Sequence, residues 1–72
     1  MELSNKIVRL RRRYGLSQEE LANRIGVSRQ AVFKWESGSN MPDMDKIKKI
    51  VKLFNVSFDF LLDANIEFED LK

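Results

Sequence analysis

Apolar residues recur along most of the chain at steps of three and four, which is the spacing of an amphipathic α-helix. The first stripe precedes Gly15 and consists of Leu3, Ile7 and Leu10. A later stripe, which ends before Asn55, consists of Ile47, Ile50, Val51 and Phe54. The pattern therefore predicts an all-α fold.

Small polar residues indicate where the helices begin. Ser17 followed by Glu20 is a Ser-x-x-Glu capping box, so a second helix is expected to start there. The three later helices have candidate N-caps at Ser28, Asp43 and Ser57. Glycines are expected to end the second and third helices, at Gly26 and Gly38. We expect a compact five-helix bundle over residues 1–63, followed by an acidic tail over 64–72 that is either helical or disordered.

The composition excludes several classes of chemistry. The chain has 72 residues with no Cys and no His, so it has neither a thiolate nucleophile nor a Cys/His zinc site. It also lacks a Gly-rich phosphate loop, and we expect no enzyme, no metal and no cofactor. No apolar run exceeds three residues, which predicts a cytoplasmic protein with no membrane span.

Charge is distributed unevenly along the chain, although the net charge is only +2. Residues 1–38 carry eight basic and four acidic side chains, whereas residues 39–72 carry five basic and seven acidic ones. The N-terminal half is therefore the half suited to a polyanion.

The most informative segment lies between Gln18 and Glu36. Two short helices are joined there by only a few residues around Gly26, so they must cross steeply. Ala22 is small enough to let the second of these helices pass close over it. The outer face of that helix then carries side chains that can contact base edges, a thymine methyl or phosphate: Arg29, Gln30, Phe33 and Lys34.

This segment resembles the helix-turn-helix of phage repressor, Cro and Xre-type regulators. The residues that carry the resemblance are Gln18-Glu19-Glu20-Leu21-Ala22, Gly26-Val27-Ser28, Val32, Trp35-Glu36 and Gly38. The flanking helices match as well, so the resemblance covers about Leu3 to Asp63. It implies a lambda-repressor-like domain that binds double-stranded DNA with its third helix in the major groove. By this analogy the protein is a transcriptional repressor that acts as a homodimer, weak without DNA, on a palindromic operator.

The resemblance also implies a role for each candidate site residue. The positions that match base-contacting residues are Arg29, Gln30, Phe33 and Lys34. Phe33 would either touch a thymine methyl or cover neighbouring apolar atoms. The positions that match contacts to the DNA backbone are Ser17, Gln18, Ser28, Ser39 and Asn40. Gln18 is also expected to buttress Gln30, and Arg11 is expected to pair with Glu36 as a structural ion pair.

An alternative function for the chain, and an alternative role for the arginines of the first helix, remain at this point. The chain could be an antitoxin-like or regulatory module that binds a partner protein through Phe58, Phe60 and Leu62 or through its tail. Arg9 and Arg12 fit a solvated helix face, because a run of like charges has low specificity. Arg13 is left between solvent and phosphate.

Overall fold

The computed structural model describes residues 1–70, and within them it is all-helical, as the apolar spacing predicts. The five α-helices are α1 (Leu3–Arg13), α2 (Gln18–Ile25), α3 (Arg29–Ser37), α4 (Met44–Phe54) and α5 (Phe58–Leu62), and a short 3-10 helix follows at Phe68–Asp70. None of these helices is long and apolar enough to cross a membrane.

The helices begin at the polar residues that the sequence indicates. The Ser17 hydroxyl accepts the backbone N–H of Glu20 at 3.0 Å, and the Glu20 carboxylate accepts that of Ser17 at 2.8 Å. The Ser17 amide, and then its hydroxyl, hold the pKa of the Glu20 carboxyl below its ordinary value. The predicted N-caps of α3, α4 and α5 each accept a first-turn amide; they are Ser28, Asp43 and Ser57.

Left-handed residues end α2, α3 and α4. Gly26 has φ 87° and Gly38 has φ 80°, a region that other residues enter only with strain. Asn55 ends α4 at φ 56°, which asparagine tolerates better than most residues. The three turns are therefore set by residue type.

One apolar core joins all five helices, and it contains the residues of both predicted stripes except Leu3, which is partly buried and packs against it. The α2–α3 angle is closed by residues that are each at most 5% exposed: Leu21, Ala22, Ile25, Val32 and Trp35. Phe54 of α4 is buried as well, and the ring of Tyr14 packs edge-on against it with centroids 5.0 Å apart. The buried side chains of Val32 and Trp35 hold α3 against the rest of the bundle, and the Tyr14–Phe54 contact joins the end of α1 to α4.

The described part of the acidic tail packs against the bundle. Phe68 is only 6% exposed, and its ring meets Phe60 edge-on at 5.0 Å between centroids. The guanidinium groups of Arg9 and Arg13 lie over the Phe68 ring at 4.5 and 5.3 Å. Arg9 is exposed, as expected for a solvated helix face, and its side chain in addition covers an aromatic ring. The domain boundary at residue 63 stays a prediction.

The short α5 hides part of the apolar surface that the sequence assigned to a partner. Phe60 and Leu61 are buried at 2% and 1% exposure, whereas Phe58 and Leu62 are 40% and 44% exposed. The prediction of an interaction surface that includes Phe60 is therefore wrong. Its ring is occupied within the chain by Phe68 and by the ammonium group of Lys6, 4.8 Å from its centroid.

Lys6 is a fully buried cation in the first helix. Its ammonium group donates to the carbonyl of Phe60 and, at 2.7 Å, to that of Asp63. These carbonyls belong to the end of α5, where backbone acceptors lack partners within the helix. Lys6 therefore joins the C-terminal end of α5 to α1.

Replacement of Lys6 should destabilise the domain far more than replacement of an exposed lysine. Lys6→Ala leaves buried carbonyls without a donor and empties packed volume, so we expect a loss of about 3 kcal/mol in the free energy of unfolding. Lys6→Met keeps most of the volume and should lose less. Lys48→Ala, at an exposed position of α4, is the control and should change stability by at most about 0.5 kcal/mol. Urea unfolding followed by circular dichroism measures all three, and equal small effects at both lysines would contradict the assignment.

Candidate nucleic-acid interface

The outward face of α3 is a set of exposed polar and aromatic side chains on a buried base. Val32 and Trp35 point into the core at 0% and 5% exposure. The four residues predicted to face outward are all exposed, and they are Arg29, Gln30, Phe33 and Lys34. Steps of one, three and one put these four on one side of the helix.

The turn between α2 and α3 holds this face at a defined place. The backbone N–H groups of Gly26 and Val27 both donate to the carbonyl of Ala22, at 2.8 and 3.0 Å. Ser28 then caps α3 by accepting the N–H of Ala31 at 3.2 Å. Because Ala22 is 1% exposed, its small side chain lies within the packed angle of the two helices.

The chemistry of the outward face suits a polyanion that carries hydrogen-bonding edges. Arg29 and Lys34 bring two positive charges, and none of the four outward residues is acidic. Gln30 offers both a donor and an acceptor on one planar amide, and Arg29 offers a planar fork of donors. Phe33 is 55% exposed and adds an apolar surface between them. A base edge presents the same mixture of acceptors, donors and methyl groups.

The serines and the asparagine predicted to contact a backbone lie at the ends of α2 and α3. Ser17 and Ser28 are exposed at the N-termini of these helices, where free N–H groups and the helix dipole favour an anion. Ser39 and Asn40 follow α3, and both of their backbone N–H groups donate to the carbonyl of Lys34, at 2.9 and 3.3 Å. The segment after α3 is therefore held by α3 itself.

Gln18 begins α2, as expected, and makes a contact that the sequence did not indicate. Its amide Nε2 donates to the Glu36 Oε1 atom at 3.0 Å, at the end of α3, and the contact with Gln30 stays a prediction. The spacing of 18 residues between Gln18 and Glu36 carries no local periodicity that could have revealed this contact.

Arg11 and Glu36 form a two-point ion pair between α1 and α3. Arg11 Nε lies 2.6 Å from Glu36 Oε2, and Arg11 Nη2 lies 3.1 Å from Glu36 Oε1. The third guanidinium nitrogen donates to the carbonyl of Leu16 at 2.9 Å. The two side chains are only 12% and 7% exposed, so water screens the pair weakly.

Comparison with known proteins bears on this arrangement of α2 and α3. The model of the helix-turn-helix family matches residues 7–61. The chain belongs to this family. The resemblance to phage repressors and Xre-type regulators is thereby confirmed.

Relatives by sequence include regulators of opposite sign. The HTH-type transcriptional activator BcrR of Enterococcus faecalis is 47% identical over 64 residues, which cover 89% of this chain and 31% of the activator. The cryptic phage CTXphi transcriptional repressor RstR of Vibrio cholerae is 38% identical over 72 residues, which cover 96% of this chain and 64% of the repressor. The chain thus spans about a third of the activator and somewhat less than two thirds of the repressor.

Solved structures share the fold over nearly the whole chain. The P22 c2 repressor in complex with a synthetic operator superimposes with a TM-score of 0.84 at 25% identity, over 90% of this chain and 98% of the repressor chain. A chain of the SinR protein/SinI protein complex gives 0.81 at 27% identity, over 97% of this chain and 67% of the other. The five-helix, lambda-repressor-like fold is confirmed.

The Arg11–Glu36 pair should show strong energetic coupling. Arg11→Met or Glu36→Gln alone leaves a largely buried charge unpaired, so each should lower the free energy of unfolding by about 3 kcal/mol. The double variant should cost only about 4 kcal/mol, which corresponds to a coupling of about 2 kcal/mol in urea unfolding.

The control for this cycle is the exposed pair Glu20 and Arg24, one helical turn apart on α2. Glu20→Gln and Arg24→Met should show no measurable coupling, because exposed charges are screened. Additive losses for Arg11 and Glu36 would contradict a pair that stabilises the fold.

Proposed function

We propose that this chain binds double-stranded DNA sequence-specifically, as the DNA-binding part of a transcriptional regulator, with α3 in the major groove. The observation that carries the proposal is the outward face of α3, which presents a donor fork, an amide and an apolar ring without an acidic residue. An α-helix fits the major groove of B-DNA, where base edges display donors, acceptors and the thymine methyl. The structural likeness to a repressor solved on its operator supports the same placement.

The outward residues of α3 divide into reading and charge-pairing groups. Gln30 matches the two-point geometry of adenine, and Arg29 matches that of guanine. Phe33 is placed to touch a thymine methyl, and Lys34 brings a charge that pairs with either a base or a phosphate.

Residues at the helix ends fix the register on the DNA backbone. These are Ser17, Gln18, Ser28, Ser39 and Asn40. They offer neutral hydroxyl and amide groups, and such groups position a protein on phosphate without reading sequence. The N-termini of α2 and α3 add oriented N–H groups to the same contacts.

We assign repression as the mode of regulation. Repression requires only that a bound domain occupies a site that another protein needs, and the residues described here suffice for that. The related phage regulator RstR, most of which the chain spans, is a repressor.

A homodimer on a palindromic operator completes the proposal. Phe58 and Leu62 leave apolar surface exposed on α5, and a groove lined in part by Leu3, Trp35 and Met41 adjoins Leu62. The patch is small, so the dimer should be weak in the absence of DNA. Two α3 helices would then enter successive major grooves, about 34 Å apart.

Substitutions at the reading residues should relax specificity. Gln30→Ala or Arg29→Ala removes hydrogen bonds to base edges, which should cost roughly 1–3 kcal/mol on the preferred duplex and little on a scrambled one. Ser17→Ala removes a backbone contact and should weaken both duplexes about equally. Titrations at two salt concentrations, after selection of the preferred duplex from a random pool, measure these ratios. If both α3 variants leave the ratio of specific to non-specific affinity unchanged, α3 is not the reading element and the proposal fails.

The dimer makes a separate prediction about Leu62. Leu62→Glu should weaken binding to a palindromic duplex about tenfold or more, since it removes the roughly 1.5–3 kcal/mol that burial of a leucine contributes. Asn23→Glu adds the same charge on exposed α2 and should leave dimerisation unchanged. Sedimentation velocity with and without the duplex measures the assembly. A strict monomer under both conditions would contradict the dimer while leaving the DNA-binding proposal intact.

A partner-protein module is the competing function, and the exposure of Phe58 and Leu62 is the observation that favours it. The same surface serves the dimer, so exposure alone does not separate the two. A salt-dependent mobility shift of duplex DNA separates the two functions, because a module that binds only protein, at a net charge of +2, should cause no shift.

A further inference from the structure

The carboxylate of Glu36 receives hydrogen bonds from two different helices. Arg11 of α1 donates to both of its oxygens, and Gln18 of α2 donates to Oε1. The Glu36 side chain is 7% exposed, and the Arg11 guanidinium that holds it is itself anchored on the carbonyl of Leu16. The carboxylate is thus fixed in place before any ligand arrives.

A fixed carboxylate determines which way the Gln18 amide faces. An ionised carboxylate only accepts hydrogen bonds, so the Nε2 end of the amide must face Glu36 and the Oε1 end must face away. This chemistry excludes the flipped amide orientation. Nε2 carries two N–H groups, and a single bond to Glu36 uses one of them. The other remains to donate to a further acceptor.

Arg11 makes this arrangement compatible with a phosphate nearby. A bare carboxylate next to the DNA backbone would repel it, and the charge of Arg11 neutralises Glu36 at 2.6 Å. The Glu36 carboxylate can therefore orient Gln18, and because Arg11 neutralises it, the contact surface gains no net negative charge.

We propose that Glu36 is a positioning residue for DNA binding: it orients the Gln18 amide so that its second N–H points outward as a donor to a backbone phosphate. The inference rests on the proposed function and adds a named donor at the N-terminal end of α2. It gives the ion pair with Arg11 a second role beyond stabilising the fold.

A double-mutant cycle on DNA affinity tests this role. Glu36→Gln should weaken binding about fivefold on specific and scrambled duplexes alike, the effect of one net hydrogen bond to phosphate. Gln18→Ala should cause a similar loss, and Glu36→Gln should cause no further loss in the Gln18→Ala background. As the matched control, Glu36→Gln combined with Gln30→Ala should be additive, because Gln30 acts on bases. Affinities are measured at a temperature at which thermal unfolding shows every variant to be folded.

The sign of the effect separates positioning from simple electrostatics. Loss of the Glu36 charge frees Arg11, which by charge alone would tighten binding and steepen its salt dependence. Tighter binding by Glu36→Gln, or additive losses with Gln18→Ala, would overturn the positioning role while the proposed function stands. Failure of the unsubstituted chain to bind either duplex would overturn both.

A measurement on the unsubstituted chain covers the case in which Glu36→Gln does not fold. The nitrogen-15 order parameter of the Gln18 side-chain amide in the free protein should approach that of rigid backbone, about 0.85. A value below about 0.6, typical of flexible groups, would overturn the inference without any substitution.

Discussion

The bidentate ion pair between Arg11 and Glu36 is the interaction on which the placement of α3 depends. It ties α1 to the last turn of α3, and through Gln18 the same carboxylate reaches the first turn of α2. Both charged side chains are largely buried, so removal of either partner leaves the other as an unpaired buried charge. An apolar core alone would hold the helices together, but it is non-directional. The two-point ion pair is directional, and it therefore fixes how α3 is oriented against α1.

A second polar junction performs a similar task between α1 and α5. Lys6 is fully buried and satisfies two carbonyls at the end of α5, while its charge lies near the Phe60 ring. Phe68 then covers Phe60 and is itself covered by Arg9 and Arg13. The apolar surface that stays exposed on α5 is therefore that of Phe58 and Leu62, where we propose the dimer contact. A domain this small has a small apolar core, and the specific polar contacts at the two junctions add to its stability.

The two junctions determine which basic side chains remain available to a polyanion. The basic side chains of the outward α3 face are exposed and unopposed on that face, whereas Lys6 and Arg11 are taken up by the fold. The count of basic residues in the N-terminal half thus overstates the charge available to a polyanion. The surface that we propose for DNA is the face of α3 together with the polar ends of α2 and α3.

The local features of this protein were determined by its sequence. The helix starts at Ser17, Ser28, Asp43 and Ser57, the left-handed turns at Gly26 and Gly38, and the outward face of α3 all depend on neighbours within a few residues. The 3.6-residue period is sufficient to predict such features.

The tertiary structure alone decided the burial of Lys6, the packing of Phe68 and the partner of Gln18. It also decided which apolar residues of α5 are hidden, because a five-residue helix is too short for its period to select a face. The deciding contacts join residues 54 apart for Lys6 and Phe60, 25 apart for Arg11 and Glu36, and 18 apart for Gln18 and Glu36. Over such separations no period links the two partners. Their meeting depends on how the helices pack, which is the outcome of all core contacts acting together.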